Sequence, residues 1–308
     1  MGTQPRYLTG TRLGLCTILP LAAIAIATAE AASRPATTPA TPTVRPFPGK
    51  LIRNIDQSGV KEPSGIVYHP IRKTLFVVGD AGDIVEMKTD GTPVRRRAWK
   101  HGNFEGITCH PMTGRLYVAV ERKETILEVD PDGLKITRTF PIERTFAGRT
   151  VLKPGKHGIE GITFIPGSKP PQTERFWLSF QSFYPRTDES PSAIFAVVLP
   201  SSAGPADEPP VKIDRYRPMT VTDLSDLCYN AARDRLYILS KTYRLILEMN
   251  RQGQIETAWE LPGQDVEGLA IDPDGFWYFA QDLGGIMKYQ VELTPTTVTP
   301  HRIPSDPP

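Results

Sequence analysis

The chain has 308 residues, of which 39% are hydrophobic and 23% are charged, a composition that is typical of a globular protein and excludes a largely disordered one. It carries 36 basic and 34 acidic residues, so the net charge of +2 argues against bulk attraction to nucleic acid or to an anionic membrane. This length allows one large domain or two ordinary ones.

The N-terminal segment has the pattern of a secretory signal peptide. Positive charge, an apolar run and two small-residue cleavage sites follow one another: Arg6 and Arg12, residues 13–27, then Ala29 and Ala32. An uncleaved membrane anchor is the alternative, but the run is short for a membrane span and Pro20 interrupts it. We therefore expect residues 1–32 to be removed on export and the protein to reside in the periplasm, in the cell envelope or outside the cell.

The next stretch, SRPATTPATPTVRPFPG (33–49), is rich in Pro and Thr and predicts a stiff, extended linker. One folded domain is expected over residues 50–304, followed by a disordered tail at 305–308. Once the signal is removed, the cysteines that remain are Cys109 and Cys228. We expect them to be buried and unpaired, because the repeat described next puts them on opposite faces of equivalent strands.

A repeat of about 40 residues runs through the chain. The aligned segments are PSGIVYHPIRKTLFVVGD (63–80), FEGITCHPMTGRLYVAVE (104–121), IEGITFIPGSKPPQTERFWLSFQ (159–181), LSDLCYNAARDRLYILSK (224–241) and VEGLAIDPDGFWYFAQD (266–282). Each predicts a strand, a turn and a second strand, and two further apolar segments usually follow. Four short antiparallel strands per repeat predict an all-β fold, a β-propeller.

The number of repeats favours five blades. The long stretch 165–222 leaves room for a sixth, degenerate blade, which is the alternative. Within it, the insertions GSKPPQTER (167–175) and LPSSAGPADEPP (199–210) are predicted to be loops. The segment LIRNID (51–56) is predicted to close the ring by adding a strand to the last blade.

Acidic residues recur where the first strand of a blade begins and the second ends. Because the first strand lines the central channel and the second runs antiparallel to it, both sets face one mouth of the channel. The acidic positions are Glu105, Glu160, Glu267, Asp80, Glu121 and Asp282, with Asp223 and Asp226 close by. Converging carboxylates repel one another unless a cation neutralises them, and oxygen ligands without clustered His or Cys favour Ca²⁺. For any single glutamate, accepting a backbone N–H from the adjacent blade is the alternative.

Three residues complicate this prediction. Lys241 and Gln181 stand at mouth positions in place of carboxylates, so the site is expected to be asymmetric. His157 lies three residues before Glu160 and is the candidate general base, although an ordinary loop histidine is the favoured interpretation. No nucleophile elbow, Walker loop or dinucleotide fingerprint occurs in the sequence.

Together these segments resemble the SdiA-regulated family of bacterial exported β-propellers. The resemblance is carried by EPSGIVYHP, FEGITCHP, IEGITF, DLSDLCYNAARDRLYILSKTYRLILEMNRQG and VEGLAIDPDGFWYFAQD, and it covers residues 50–292. It implies a propeller with a calcium ion at a shared site and no settled activity. More distantly, the chain is similar to calcium-dependent propeller lactonases and to esterase-like and phytase-like propellers. Lys241 and Gln181 depart from this pattern.

Three functions remain open. The first is a monomeric, calcium-stabilised module of the cell envelope that binds a small molecule or an envelope protein. The second is a Ca²⁺-dependent hydrolase of lactones, esters or phosphoesters, whose phytase-like version needs basic residues beside the metal, with Lys241 and Lys156 as candidates. The third is a protein-interaction platform without calcium. The acidic mouth and the lack of a nucleophile–base pair favour the first.

Overall fold

The structure is a computed structural model. It describes residues 43–100, 102–155, 157–167, 174–181, 192–200, 209–283 and 285–293. All of them belong to one compact unit, Thr41–Pro308. The predicted signal peptide, most of the predicted linker and of the two insertions, Lys156 and the C-terminal tail lie outside the described residues.

Strands make up all the regular structure of the described residues. The chain begins with β1 (Val44–Arg45) and β2 (Gly49–Asn54). Blade 1 consists of β3 (Pro63–His69), β4 (Thr74–Gly79), β5 (Asp83–Lys88) and β6 (Pro93–Ala98). Blade 2 consists of β7 (Phe104–Cys109), β8 (Leu116–Val120), β9 (Thr125–Asp130) and β10 (Lys135–Pro141).

The remaining blades follow a short hairpin formed by β11 (Thr145–Phe146) and β12 (Arg149–Thr150). Blade 3 consists of β13 (Ile159–Ile165), β14 (Arg175–Phe180), β15 (Ala193–Val197) and β16 (Ile213–Pro218). Blade 4 consists of β17 (Leu224–Asn230), β18 (Arg235–Ser240), β19 (Leu245–Met249) and β20 (Ile255–Glu260). Blade 5 consists of β21 (Val266–Ile271), β22 (Phe276–Gln281), β23 (Gly285–Val291) and β2.

The first strands of successive blades contact one another around a closed ring, in the order β3, β7, β13, β17, β21 and back to β3. The predicted five-bladed propeller is therefore confirmed, and the stretch considered for a sixth blade completes blade 3 instead. Ring closure also follows the prediction, because β2 pairs antiparallel with β23 as the fourth strand of blade 5, with Leu51 opposite Tyr289.

The folded part begins earlier than the expected boundary near residue 50. Strand β1 pairs in parallel with β20, and Phe47 packs its ring within 5.6 Å of the rings of Trp277, Phe279 and Tyr289. The ring of Phe47 is therefore partly buried against blade 5. The end of the proline-rich stretch thus extends the seam that closes the propeller.

The hydrophobic core lies between neighbouring blades. Between blades 2 and 3, for example, the ring of Phe176 lies 4.4 Å from that of Tyr117 and 5.3 Å from that of Phe164. Between blades 4 and 5, the rings of Tyr237 and Trp277 lie 4.8 Å apart. These aromatic residues follow the strand registers, as expected for side chains that join one blade to the next.

Glycines set how closely the first strands approach. Each residue that follows a mouth position in blades 1, 2, 3 and 5 is a glycine whose added Cβ would lie within 3 Å of the neighbouring blade: Gly65, Gly106, Gly161 and Gly268. At Gly106, for instance, the Cβ would lie 2.5 Å from the carbonyl oxygen of Glu160. The glycine of each Glu-Gly pair is therefore required by the contact between blades.

We expect Gly106→Ala to destabilise the protein by about 1–3 kcal/mol or more, because the methyl group meets backbone that cannot move without opening the ring. The matched control is Gly133→Ala in an open turn, where the nearest atom to an added Cβ lies 3.4 Å away. Denaturant unfolding of both variants checks this. Equal stability of the two variants would show that the inner strands do not need this close contact.

Candidate functional site

The predicted acidic positions do converge on one mouth of the channel. Glu105 and Glu160 lie on β7 and β13 with 9% and 8% of their surfaces exposed. Each lies within electrostatic range of the other acids at the mouth, namely Asp80, Glu121 and Glu267. Asp282 follows β22 and lies beside Glu267, which completes the predicted set of six.

Burial and mutual repulsion raise the pKa values of the glutamates at the mouth. The pKa of Glu105 lies well above its usual range because of burial first, then repulsion from Asp80 and Glu121. The pKa of Glu160 is raised in the same direction by burial and by repulsion, first from Glu105. Bringing these carboxylates together in their charged form therefore costs free energy in the absence of a cation.

Among the described residues, Glu160 differs from its neighbours at the mouth in having no hydrogen-bond or ion-pair partner for its carboxylate. By contrast, Glu105 accepts a hydrogen bond of 3.1 Å from the side-chain amide of Asn103. Burying a carboxylate without a partner costs free energy. Glu160 is therefore the residue that a positively charged ligand would stabilise most.

Glu121 is bound from several directions. Its Oε1 accepts hydrogen bonds from the backbone N–H groups of His157, at 2.5 Å, and Gly158, at 3.2 Å. Its Oε2 accepts from the amide of Asn103 at 2.9 Å, so Asn103 bridges Glu105 and Glu121. Glu121 thus also takes the structural role that the sequence left open for a single acid, because it ties blade 2 to the entry of blade 3.

Lys241 neutralises the opposite side of the mouth. Its ammonium group donates a short hydrogen bond to Glu267 and lies 3.5 Å from Asp282. Burial acts to lower the pKa of Lys241, but the attraction of Glu267, Asp282 and then Asp223 outweighs it, so the pKa is raised. Burial raises the pKa of Glu267 to about 7 even though Lys241 opposes that rise. The predicted asymmetry of the site has its origin in this lysine.

Gln181 links the candidate base to blade 4. Its amide oxygen lies 2.8 Å from Nδ1 of His157, and its amide nitrogen donates to Asp223 at 2.7 Å. The second oxygen of Asp223 accepts a hydrogen bond of 2.6 Å from Thr242. His157 and Asp223 therefore both lie at the mouth, on the side where blades 3 and 4 meet.

Asp226 is placed differently from the other predicted ligands. It occupies the position that is glycine in the other blades, and its Oδ2 accepts a hydrogen bond of 2.7 Å from the backbone N–H of Leu269. Burial raises its pKa well above the usual range, although this hydrogen bond and one from Leu227 oppose the rise. Its carboxylate links blade 4 to blade 5.

The residues that the sequence did not single out are those that orient the acids. Asn103 is the clearest case, since it has a positive φ of 49° two residues before Glu105. Blades 1, 4 and 5 repeat this left-handed conformation two residues before the mouth position, at Glu62, Asp223 and Asp265. An Asn or Asp at that spacing is a usable sequence signal, because both tolerate the left-handed region better than most residues.

The mouth meets one of two requirements for binding calcium. The donor chemistry fits, because the acids supply several oxygen atoms from four blades, and Glu160 is buried with no bonded partner among the described residues. Among the residues that the structure describes, however, no three His, Cys, Asp or Glu side chains already stand in an arrangement that holds a metal ion. The acids are gathered at one mouth, but their side chains are not in ligating positions in this structure.

Both cysteines are free thiols, Cys109 buried and Cys228 half-buried. Burial raises the pKa of Cys109 to about 12 and that of Cys228 in the same direction. Within the described ranges there is also no helix with the length and hydropathy needed to cross a membrane.

The fold and the site define a class: a five-bladed β-propeller with a buried, mostly acidic channel mouth. The family model described as SdiA-regulated matches residues 50–282, and the chain belongs to that family. No curated protein is similar enough in sequence to count as a match.

Two solved structures are similar to this chain at low sequence identity. A crystal structure of glutaminyl cyclase from Myxococcus xanthus matches with a TM-score of 0.54 and 14% identity, covering 81% of this chain and all of that one. The Cps50 (Swd1) β-propeller domain from Myceliophteria thermophila matches with a TM-score of 0.46 and 10% identity, covering 80% of this chain and all of that one. At these identities the likeness extends to the fold alone.

The raised pKa values predict that the protein without calcium loses stability as pH rises. Glu105, Glu160 and Asp226 hold their protons in the folded state at pH values where the unfolded chain has lost them. Stability is therefore fully present below the unfolded pKa and falls as pH rises through the folded pKa. In a chelator, we expect the melting temperature to be several degrees higher at about pH 5.5 than at about pH 8. Glu160→Gln should reduce this difference, and a melting temperature that rises with pH in both proteins would contradict the burial argument.

Proposed function

We propose that this protein is an exported, calcium-binding propeller that acts as a ligand-binding or protein-binding module of the bacterial cell envelope. The single observation that carries the calcium part is Glu160, which is buried, lies among other carboxylates and has no bonded partner in the part of the chain that the structure describes. A divalent cation would relieve the desolvation and the repulsion together.

The ion would be held on one side of the mouth. Lys241 already supplies positive charge to Glu267 and Asp282. Glu160 and Glu105 have no such cation, and we expect them to be the principal ligands, with Asp80 as a further oxygen donor. When bound, calcium would supply a fixed positive charge at the mouth that holds these acids in their ionised form.

A cleft beside the mouth supports the binding role. It has a volume of about 670 Å³, and its lining runs from the acids Asp80 and Glu121 to the bases Lys100, Arg122 and Lys123. The side chains of Lys100 and Lys123 are exposed and form no ion pair with the described residues. A ligand in this cleft would lie between the proposed ion and a basic rim, so an anionic group would fit both.

Export is supported by the N-terminal sequence pattern. The arginines, the apolar run and the small-residue sites stand in the order that a signal peptidase substrate requires. The mature protein would begin at Glu30 or Ser33, and N-terminal sequencing of the exported form checks this.

Calcium is expected to raise the melting temperature of the wild type by several degrees relative to protein in a chelator, because only the folded state gathers the ligands. Glu160→Gln and Glu105→Gln should each remove most of this rise while keeping the fold, since the amide is nearly the same size as the carboxyl group. Asp274→Asn, an exposed substitution in the turn after β21, is the control and should keep the full effect. Identical melting curves for the wild type with and without calcium, together with metal-free purified protein, would contradict the calcium site.

A Ca²⁺-dependent hydrolase is the second candidate, and two observations favour it. His157 lies at the mouth with its backbone N–H bonded to Glu121, and the cleft provides the basic residues that a phosphorylated substrate needs. Assays of lactone, aryl ester and phosphoester hydrolysis with and without calcium test this. We expect a hydrolase to lose about 100-fold or more of its rate in His157→Ala if the imidazole is the general base. A calcium-dependent activity that survives both His157→Ala and Glu160→Gln would place the chemistry elsewhere.

A further inference from the structure

At the end of the propeller away from the acidic mouth, the residue at one position of the third strand can be compared among the five blades. The fourth residue of the third strand is glutamate in three blades: Glu86 in blade 1, Glu128 in blade 2 and Glu248 in blade 4. Each faces an aromatic residue on the second strand, namely Phe76, Tyr117 and Tyr237. The repeat therefore places a carboxylate at this point in blades 1, 2 and 4, whereas blade 5 has Lys288 there, between Tyr278 and Arg53.

Each of these glutamates meets an arginine. Glu86 lies 2.7 Å from both Arg72 and Arg95, and Arg95 is its direct partner across β5 and β6. Glu128 lies 3.7 Å from Arg138, which opposes it across β9 and β10. The carboxylates are largely buried, so these pairs close the gap between one blade and the next.

Blade 3 has the arginine without the glutamate. Ala196 occupies the glutamate position, and it stands between Trp177 on β14 and Arg215 on β16. Arg215 has as its ion-pair partner only the exposed Asp214, at 3.7 Å, among the residues that the structure describes. Arg217, two residues further along the same face, forms no ion pair with any described residue. Within the described residues of blade 3, the arginine of the pair is therefore present and the glutamate of the pair is replaced by alanine.

Trp177 and Arg215, the cross-strand neighbours of the fully buried Ala196, line a cavity of about 650 Å³ between blades 3 and 4, although Ala196 itself is not part of the lining. The apolar lining of the cavity includes the half-buried Trp177, with Leu236 and Met249, and its rim carries Arg215 and Arg217. The cavity thus combines an aromatic side chain with guanidinium groups, so it suits an anion that has an apolar body.

Two further arginine contacts show that the rim is ordered. Arg251 is fixed by Asp234 at 2.5 Å and by the hydroxyl of Tyr229 at 2.7 Å. The guanidinium of Arg217 lies against Gly253, where an added Cβ would come within 2.4 Å of one of its nitrogens. Glycine at this turn leaves room for Arg217 beside the cavity.

We propose that this cavity binds a small organic carboxylate whose apolar body lies against Trp177 and whose carboxylate meets Arg215 and Arg217, in place of the glutamate side chain absent at Ala196. The site lies near the end of the blades away from the carboxylate mouth. It is independent of the proposed calcium site.

The test is calorimetric titration of the purified protein with 2-naphthoate, with benzoate and hexanoate as smaller and aliphatic members of the class. We expect one-to-one binding of at least one of them, quenching of tryptophan fluorescence by naphthoate, and no binding of the uncharged 2-naphthylmethanol. Addition of a chelator and the substitution Glu160→Gln should leave this binding unchanged. The proposal is overturned if none of the carboxylates binds or if the uncharged alcohol binds equally well.

Three variants locate the site. Arg215→Gln should weaken binding by about tenfold to a hundredfold through loss of charged hydrogen bonds. Arg97→Gln is the control, because it makes the same change at an exposed arginine on the fourth strand of blade 1 that does not line the cavity, and its affinity should stay at the wild-type value. Ala196→Glu supplies the missing carboxylate and should abolish binding. If Ala196→Glu does not fold, Arg215→Gln decides alone, and wild-type affinity in that variant overturns the proposal.

Discussion

The close approach of five strands around one axis is the constraint on which the rest of the molecule depends. At that distance no side chain fits between the strands, so the residue that points at the next blade is glycine in four of them. In blade 4 the same position holds Asp226, which is accommodated because its carboxylate bonds to the backbone of blade 5. The residues that precede these glycines therefore lie together around one mouth of the channel. The acidic mouth follows from the same contact that closes the propeller.

That ring brings together charges that burial does not favour. Two means of neutralising them share the mouth. On the side of blades 4 and 5, Lys241 serves Glu267 and Asp282 from within the chain. On the side of blades 2 and 3, Asn103 and backbone N–H groups bind Glu105 and Glu121, and the exposed Arg122 adds an ion pair of 3.4 Å to Glu121, but Glu160 has no hydrogen-bond or ion-pair partner among the described residues. The second half of the mouth is therefore the half in which an external cation has the greatest effect.

The sequence predicted what repeats and missed what occurs once. Four-stranded units, their number, the closing strand and the gathering of the acids all follow from recurring patterns, since each copy supports the others. The hairpin β11–β12 occurs once, and so does the pairing of β1 with β20, so no pattern signalled them. The partner of Lys241 was equally hidden, because position along the chain places a residue at the mouth without showing which acid it meets. Asn103 could have been predicted, because a residue in the left-handed conformation lies two residues before the mouth position in blades 1, 2, 4 and 5, and Asn tolerates that conformation.

The same logic makes departures from the repeat informative within a single chain. Asp226 stands where the other four blades have glycine, and Ala196 stands where three blades have glutamate, but their surroundings differ. Asp226 adds a group, and the neighbouring blade supplies its partner. Ala196 removes a group, and its surroundings keep the arginine and the space that the group would have used. A departure that is compensated is explained by folding. A departure that leaves a cavity lined by guanidinium groups is better explained by the binding of another molecule.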